Sequence, residues 1–226
     1  MSKTSRNGRP KPLAPPHRAA IRHLTASHAV MARVIRAVGP CTFRPNPDLF
    51  TVLVNTVISQ QFSVKAAMSI GQRLRESVGR RGLTPAAVRK LSDEQLRAAG
   101  LSAAKQRSIR TLATRIGDGT LDLSGLEALP DDEVSTTLRT VPGIGPWSVD
   151  MVLMFGLGRP DVLPVGDFGL RMGVKEQFGL EALPTAVELE ELARPWQPYR
   201  SVATWYFWRS RGFVPQSGRK NDKVTR

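Results

Sequence analysis

The helical period runs through almost the whole of this chain, and that constrains its fold more than any other feature. Val30, Val34 and Val38 recur at i, i+4 and i+8, with Met31 and Ile35 beside them, which puts an apolar stripe on one helix face. Helix start signals then follow one another. Asn46-Pro47-Asp48 opens a helix from Asp48 to about Gln60, Ser63 caps one to about Val78, and Thr84-Pro85 sets a cap before a proline in a first turn. Ser92-x-x-Gln95 and Thr185-x-x-Glu188 are capping-box patterns. Ser102 caps a helix to about Ile116, where Gly117 and Gly119 stop it, and Asp131 starts one that ends near Arg139. Further helices follow Trp147, begin at Asp167, and run from about Pro198 to Arg211. No segment clearly alternates with period two, and there is no internal repeat and no glycine loop of the nucleotide-binding type. Helices of this length joined by Gly/Pro loops predict an all-α protein.

Charge narrows the partner. The chain holds 33 Lys and Arg against 19 Asp and Glu, a formal net charge of +14. Such a surplus favours a polyanion, because basic groups near phosphates release condensed counterions; adhesion to a membrane surface is the alternative. Nine of the basic residues precede the first acidic one, Asp48. Residues 1–18 and 216–226 read as basic arms without a core of their own. His17, His23 and His28 fall in a basic segment expected to be solvated rather than metal-binding. Cys41 is the lone cysteine, so no disulfide forms within the chain and a cysteine-ligated iron–sulfur cluster or zinc site is excluded. That suits a reducing interior, the cytoplasm around a nucleoid or a nucleus. No apolar run reaches the roughly 18 residues of a membrane span, and the basic, proline-rich start is not a secretory signal.

The most specific segment is Leu138-Arg-Thr-Val-Pro-Gly-Ile-Gly-Pro-Trp-Ser-Val-Asp150. One helix ends, Pro142-Gly143-Ile144-Gly145 turns tightly, and an apolar helix starts. Glycine at Gly143 and Gly145 lets another backbone come close. The turn offers amide N–H groups at the positive end of a helix dipole, which suits a DNA phosphate. A plain helix connector would also use glycine here, but the full Pro-Gly-Ile-Gly-x-Trp string in so basic a chain favours the anion site.

These residues resemble the helix-hairpin-helix DNA glycosylase superfamily, which follows its hairpin with a Gly/Pro-rich loop and an aspartate. Leu163-Pro-Val-Gly-Asp-Phe-Gly-Leu170 is similar to that loop, and Val57-Ile-Ser-Gln-Gln-Phe-Ser-Val64 to the family's glutamine-rich segment between two helices. Gly100-Leu-Ser-x-x-Lys105 and Pro198-Tyr-Arg-Ser201 match as well. The resemblance spans about residues 48–211 and is strongest to the 3-methyladenine DNA glycosylase II branch. It implies two helical subdomains with a DNA-binding cleft between them. Residues 49–161 would form a helical barrel with the hairpin at 138–150, and residues 19–48 with 162–215 the other subdomain. With only about 47 residues before the matched region, it implies a minimal version without the extra N-terminal β-domain of some members.

The resemblance also assigns roles. Asp167, 22 residues after Gly145, would be the catalytic carboxylate that stabilises positive charge developing on the deoxyribose; otherwise it is only the cap of the helix it opens. Members that also cut the strand place a Schiff-base lysine where Trp147 stands, so a lyase step is not expected. Trp147 and Trp208 would line a pocket for a cationic base, attracted to indole faces by roughly 0.5–2 kcal/mol, with Met151 and Phe155 setting its width. Each could instead be a core side chain. Gln61 would wedge into the gap left by the displaced nucleotide; Phe62 is the alternative wedge, and Gln60 a helix cap. Gly143, Ile144 and Gly145 would grip phosphate, and the carbonyls of Arg139, Val141 and Ile144 would hold a structural Na+ or K+. Lys105, Arg107 and Arg110 are candidates for general phosphate contact.

The function implied is monofunctional hydrolysis of alkylated purines from double-stranded DNA, chiefly 3-methyladenine with 7-methylguanine as a further candidate. No cofactor is required, and the protein would act as a monomer away from membranes. The rivals are a glycosylase for deaminated or oxidised bases, and a non-catalytic protein that binds damaged DNA.

Overall fold

A computed structural model describes residues 17–61 and 63–212. Among them are twelve α-helices and no strand: α1 (Arg18–Ser27), α2 (Ala29–Val38), α3 (Leu49–Ser59), α4 (Val64–Val78), α5 (Pro85–Arg89), α6 (Asp93–Ala98), α7 (Ala103–Gly117), α8 (Asp131–Arg139), α9 (Pro146–Phe155), α10 (Phe168–Phe178), α11 (Ala186–Ala193) and α12 (Arg200–Ser210). The expected all-α class is what the chain adopts. The caps sit where the sequence puts them. Asp48, Ser63, Thr84 and Ser102 each accept a backbone N–H of the helix they precede, and both capping boxes form.

α3 is the hub. Seven of its eleven residues are buried (Phe50, Val52, Leu53, Val54, Thr56, Val57 and Ile58), and what it turns toward solvent is a narrow half-buried stripe of Thr51, Asn55 and Ser59. It packs on α4, α7 and α9, while α7 receives α5 and α6, and α8 packs on α9. A second set gathers on α12, whose Trp205, Tyr206, Phe207 and Trp208 are all buried; it meets α1, α2 and α10. α10 comes very close there. A Cβ at Gly173 would lie 2.9 Å from the Phe207 carbonyl, so only glycine permits the approach.

The long connection from α9 to α10 is tied down by the start of α12. Arg200 makes a bidentate pair with Asp161 (Nε–Oδ1 2.8 Å, Nη2–Oδ2 2.9 Å). Ser201 Oγ donates to the Arg159 carbonyl at 2.7 Å and accepts from the Val162 amide at 2.9 Å. Thus the Pro198-Tyr-Arg-Ser201 match acquires a physical role, because it holds the segment that delivers Asp167.

The sequence places His17 and Arg18 in the solvated arm, and here it is corrected. His17 is buried and its Nε2 lies 2.6 Å from the Phe43 carbonyl, while Arg18 begins α1. The imidazole packs against the Phe43 ring, at 5.9 Å between centroids, and covers that corner of the core. The remaining arm residues lie outside the described ones.

Candidate active site

Asp167 caps α10, and its carboxylate is held by three donors. Oδ1 accepts from the Leu170 amide (2.6 Å) and from Trp208 Nε1 (2.8 Å), and Oδ2 accepts from Trp147 Nε1 (2.8 Å). The three come from α10, α12 and α9, so three helices converge on one side chain. Asp167 is 9 % exposed. Two indole N–H groups and one backbone amide fix both oxygens in direction as well as place. Gly169 makes room for this: a Cβ there would lie 3.1 Å from Asp167 Oδ1 and 3.3 Å from Trp208 Nε1.

Trp147, Met151 and Phe155 lie at i, i+4 and i+8 on α9, which aligns them in one stripe leading away from Asp167. Phe155 stacks on Trp208 (centroids 5.8 Å apart, planes at 19°) and meets the Phe43 edge at 5.4 Å. Trp208 and Met151 are buried, and Trp147 and Phe155 half-buried. All four residues suggested for the pocket are therefore brought together around Asp167 or one turn from it. Sequence reasoning treats the tryptophans as stacking surfaces; that their N–H edges also orient the carboxylate is visible only in three dimensions. A shallow depression lined by Val34, Val38, Gln177 and Arg209 lies elsewhere, between α2, α10 and α12, and includes none of these residues.

The hairpin joins α8 to α9. Gly143 has φ +84°, and a Cβ there would come within 2.2 Å of Ser108 Oγ on α7. Glycine is thus demanded twice, by the backbone angle and by the neighbour. At Gly145 nothing lies within 4 Å of the Cβ position. The amides of Gly143 and Gly145 meet no acceptor among the described residues, whereas that of Ile144 donates to the Val141 carbonyl at 3.1 Å. Ile144 is also buried, so it anchors the hairpin to the core and leaves the exposed amides to its neighbours. This corrects its place in the expected phosphate grip.

Gln61 lies in the α3–α4 turn with its side chain exposed and φ +60°, the one non-glycine residue with positive φ among those described. Phe62 lies outside the described residues. Lys105 and Arg110 are corrected as general phosphate contacts. Lys105 is buried, and its ammonium donates to the carbonyls of Ile58 (2.6 Å) and Gln60 (2.7 Å); burial lowers its pKa to about 8. Arg110 is taken by Asp93 (2.6 Å) and the Leu91 carbonyl (2.9 Å). Arg107 remains exposed.

Two residues near the site escape sequence reasoning. Asp150, one turn after Trp147, is half-buried, and burial with the charge of Asp167 raises its carboxyl to about 7. Phe168, directly after Asp167, is 63 % exposed. An acidic residue inside an apolar helix stretch was the available signal for the first; an aromatic in a first turn carries none.

Residues 54–198 match the family described as HhH-GPD superfamily base excision DNA repair protein. The chain belongs to this superfamily. It is 29 % identical over 90 % of its length to the Schizosaccharomyces pombe "Alkylbase DNA glycosidase-like protein mag2", covering 96 % of that protein. Among solved structures, it is similar to the S. pombe 3-methyladenine DNA glycosylase Mag1 in complex with abasic DNA. Identity is 30 % and the TM-score 0.75, over 87 % of this chain and 98 % of that one. It is also similar to a DNA-3-methyladenine glycosidase from Bacillus halodurans, with 33 % identity and a TM-score of 0.69 over 90 % and 93 % of the two chains. Among the described residues no helix is long and apolar enough to cross a membrane, and no group of three His, Cys, Asp or Glu is placed to hold a metal ion.

Proposed function

We propose that this protein is a monofunctional DNA glycosylase that hydrolyses the N-glycosidic bond of alkylated purines, chiefly 3-methyladenine, in double-stranded DNA. The observation that carries the reading is the carboxylate of Asp167 held between two indole N–H groups. A purine alkylated on a ring nitrogen carries positive charge and leaves readily. As the C1′–N bond breaks, its electron pair goes to the base and neutralises it. Positive charge builds on the sugar, where Asp167 stabilises it. Water then adds at C1′ and gives up a proton to the carboxylate or to solvent. Trp147 turns its N–H edge to Asp167, which leaves its ring faces for a cationic base. No lysine stands at that position, so no Schiff base forms and the strand is left intact.

The duplex would be held by the free amides of Gly143 and Gly145 and opened by Gln61. The carbonyls of Arg139, Val141 and Ile144 would hold a Na+ or K+ at the hairpin. What supports this is the end of α8 at Arg139, where terminal carbonyls lack helical donors and the dipole is negative; the Val141 carbonyl takes one donor, the Ile144 amide at 3.1 Å, and keeps a second lone pair. The ion would add positive charge facing a phosphate. The protein would work as a monomer, in the nucleoid-bearing cytoplasm or the nucleus.

The test is incubation with duplex DNA methylated on its purines, with released bases separated by chromatography. Free 3-methyladenine and intact, abasic strands are expected. Unchanged DNA together with normal duplex binding would instead make this a damage-binding protein. Strand breaks with a borohydride-trapped adduct would make it a lyase.

A further inference from the structure

A side chain that enters a base stack pushes against a duplex that resists opening, so the backbone behind it must not recoil. The residue before Gln61 has the contacts to prevent this. Gln60 Nε2 donates one hydrogen to the Gly143 carbonyl (2.8 Å) and the other to Ser148 Oγ (2.9 Å). The first partner is in the hairpin, and the second in the opening turn of α9, buried to 1 %. The Gln60 carbonyl receives the Lys105 ammonium from α7 at 2.7 Å, and its amide closes α3 on the Thr56 carbonyl at 3.2 Å. The same ammonium also takes the Ile58 carbonyl. One residue thus joins the end of α3 to α7, to the hairpin and to α9. The other face of the hairpin rests on α7 through the Gly143–Ser108 approach.

We infer that Gln60 is a positioning residue for base displacement: it locks the turn that bears Gln61 to the hairpin that grips phosphate, so that grip and wedge move as one body. The inference rests on the readings of Gln61 as wedge and of the hairpin as phosphate grip. Phosphate contact at Gly143 and Gly145 then sets the depth at which Gln61 meets the stack. Without the brace, the turn yields and the nucleotide stays paired, although the duplex is still held. Lys105 serves the same brace from behind and satisfies carbonyls that the end of α3 leaves open.

The test uses the full-length protein and a duplex carrying an abasic site or lesion with 2-aminopurine beside it, whose fluorescence rises when stacking is lost. Gln60→Ala removes both donors. Gln60→Glu keeps the length but sets a carboxylate against the Gly143 carbonyl. Both should lower the fluorescence gain and the single-turnover release rate about tenfold, while affinity for undamaged duplex changes by less than about threefold. A merely structural role would instead weaken affinity in step with rate. Wild-type fluorescence gain in both variants, or a loss of affinity as large as the loss of rate, would overturn the proposal. Gln61→Ala is measured alongside. If it keeps the full gain, the wedge reading falls and the brace with it; if it abolishes the gain while the Gln60 variants keep theirs, the brace alone falls.

Discussion

α9 and α10 start beside each other, since Trp147 in the first turn of one bonds the residue that caps the other, yet they start in opposite ways. α9 follows Gly145 and has no side-chain cap. α10 follows Asp167, whose Oδ1 accepts the Leu170 amide. The first helix leaves donors for something outside the protein, and the second consumes one with its own carboxylate. An uncapped start with open space around Gly145 suits an anion that arrives with the substrate. A capped start fixes a negative group in place, which is what the proposed function asks of a carboxylate beside a sugar that gains positive charge. The pair teaches that a helix terminus can serve substrate binding or hold a reacting group, and that the capping residue decides which.

Replacing Asp167 by Asn separates the cap from the chemistry most sharply. Asparagine is as good an N-cap, and its oxygen can still take the Leu170 and Trp208 donors. Its amide nitrogen, however, faces the Trp147 N–H, and its charge is gone. Excision under single-turnover conditions should fall by about 10³-fold, while stability changes by about 1 kcal/mol. Release at the wild-type rate would leave Asp167 as a cap only, and the contrast between the two helices would lose its functional half.

The two hairpin glycines give the next test, on the α9 side. Gly143→Ala places a methyl where Ser108 Oγ lies 2.2 Å away and on a backbone at φ +84°, so thermal denaturation should show a loss of about 2 kcal/mol. Gly145→Ala meets open space on an ordinary extended backbone and should change stability by less than about 0.5 kcal/mol. It should still weaken duplex affinity about tenfold, because the methyl occupies the approach to the free amides. Equal affinity for Gly145→Ala and wild type would remove the phosphate from that helix start.

How much of this is legible in the sequence follows the same division. Local signals read well. Ser63, Ser102, Asp48 and the two capping boxes mark helix starts because the chemistry of a cap lies within three or four residues. Asp167 and Trp147 are legible as site residues through the motif strings around them. What does not read is anything settled by distant packing. Lys105 looks like a surface base in a basic chain, but α7 turns it against the end of α3, 45 residues from Gln60 in sequence. Trp208 reads as one aromatic among several, and its bond to Asp167 spans 41 residues. His17 reads as part of an arm because the Phe43 carbonyl that receives it lies 26 residues on. No local periodicity records such pairings.

Asp150 offers the smallest effect and the finest comparison, between two carboxyls rather than two helices. Asp167 has three donors; Asp150, on α9, has no hydrogen-bond partner or cation beside it among the described residues. α3, packed against α9, carries no charged side chain, and the acidic start of α8 and the Arg171 of α10 add no shift of note beside that of Asp167. Burial first, and Asp167 second, raise the Asp150 carboxyl from 3.8 to about 7. In the unfolded chain the group ionises at its ordinary value, so between about pH 4 and 7 the folded state alone binds the proton. Folding stability from this group therefore declines as pH rises through that window, and the full cost of its charge is present above pH 7. Asp150→Asn removes that cost. With solvent screening of a half-buried group, the gain should be about 1 kcal/mol at pH 8, or roughly 2–4 °C in melting temperature, and should shrink steadily toward pH 4. A gain that is flat with pH, or larger in acid, would mean that neither burial nor the charge of Asp167 raises the Asp150 carboxyl, and the contrast between the two carboxyls would fall.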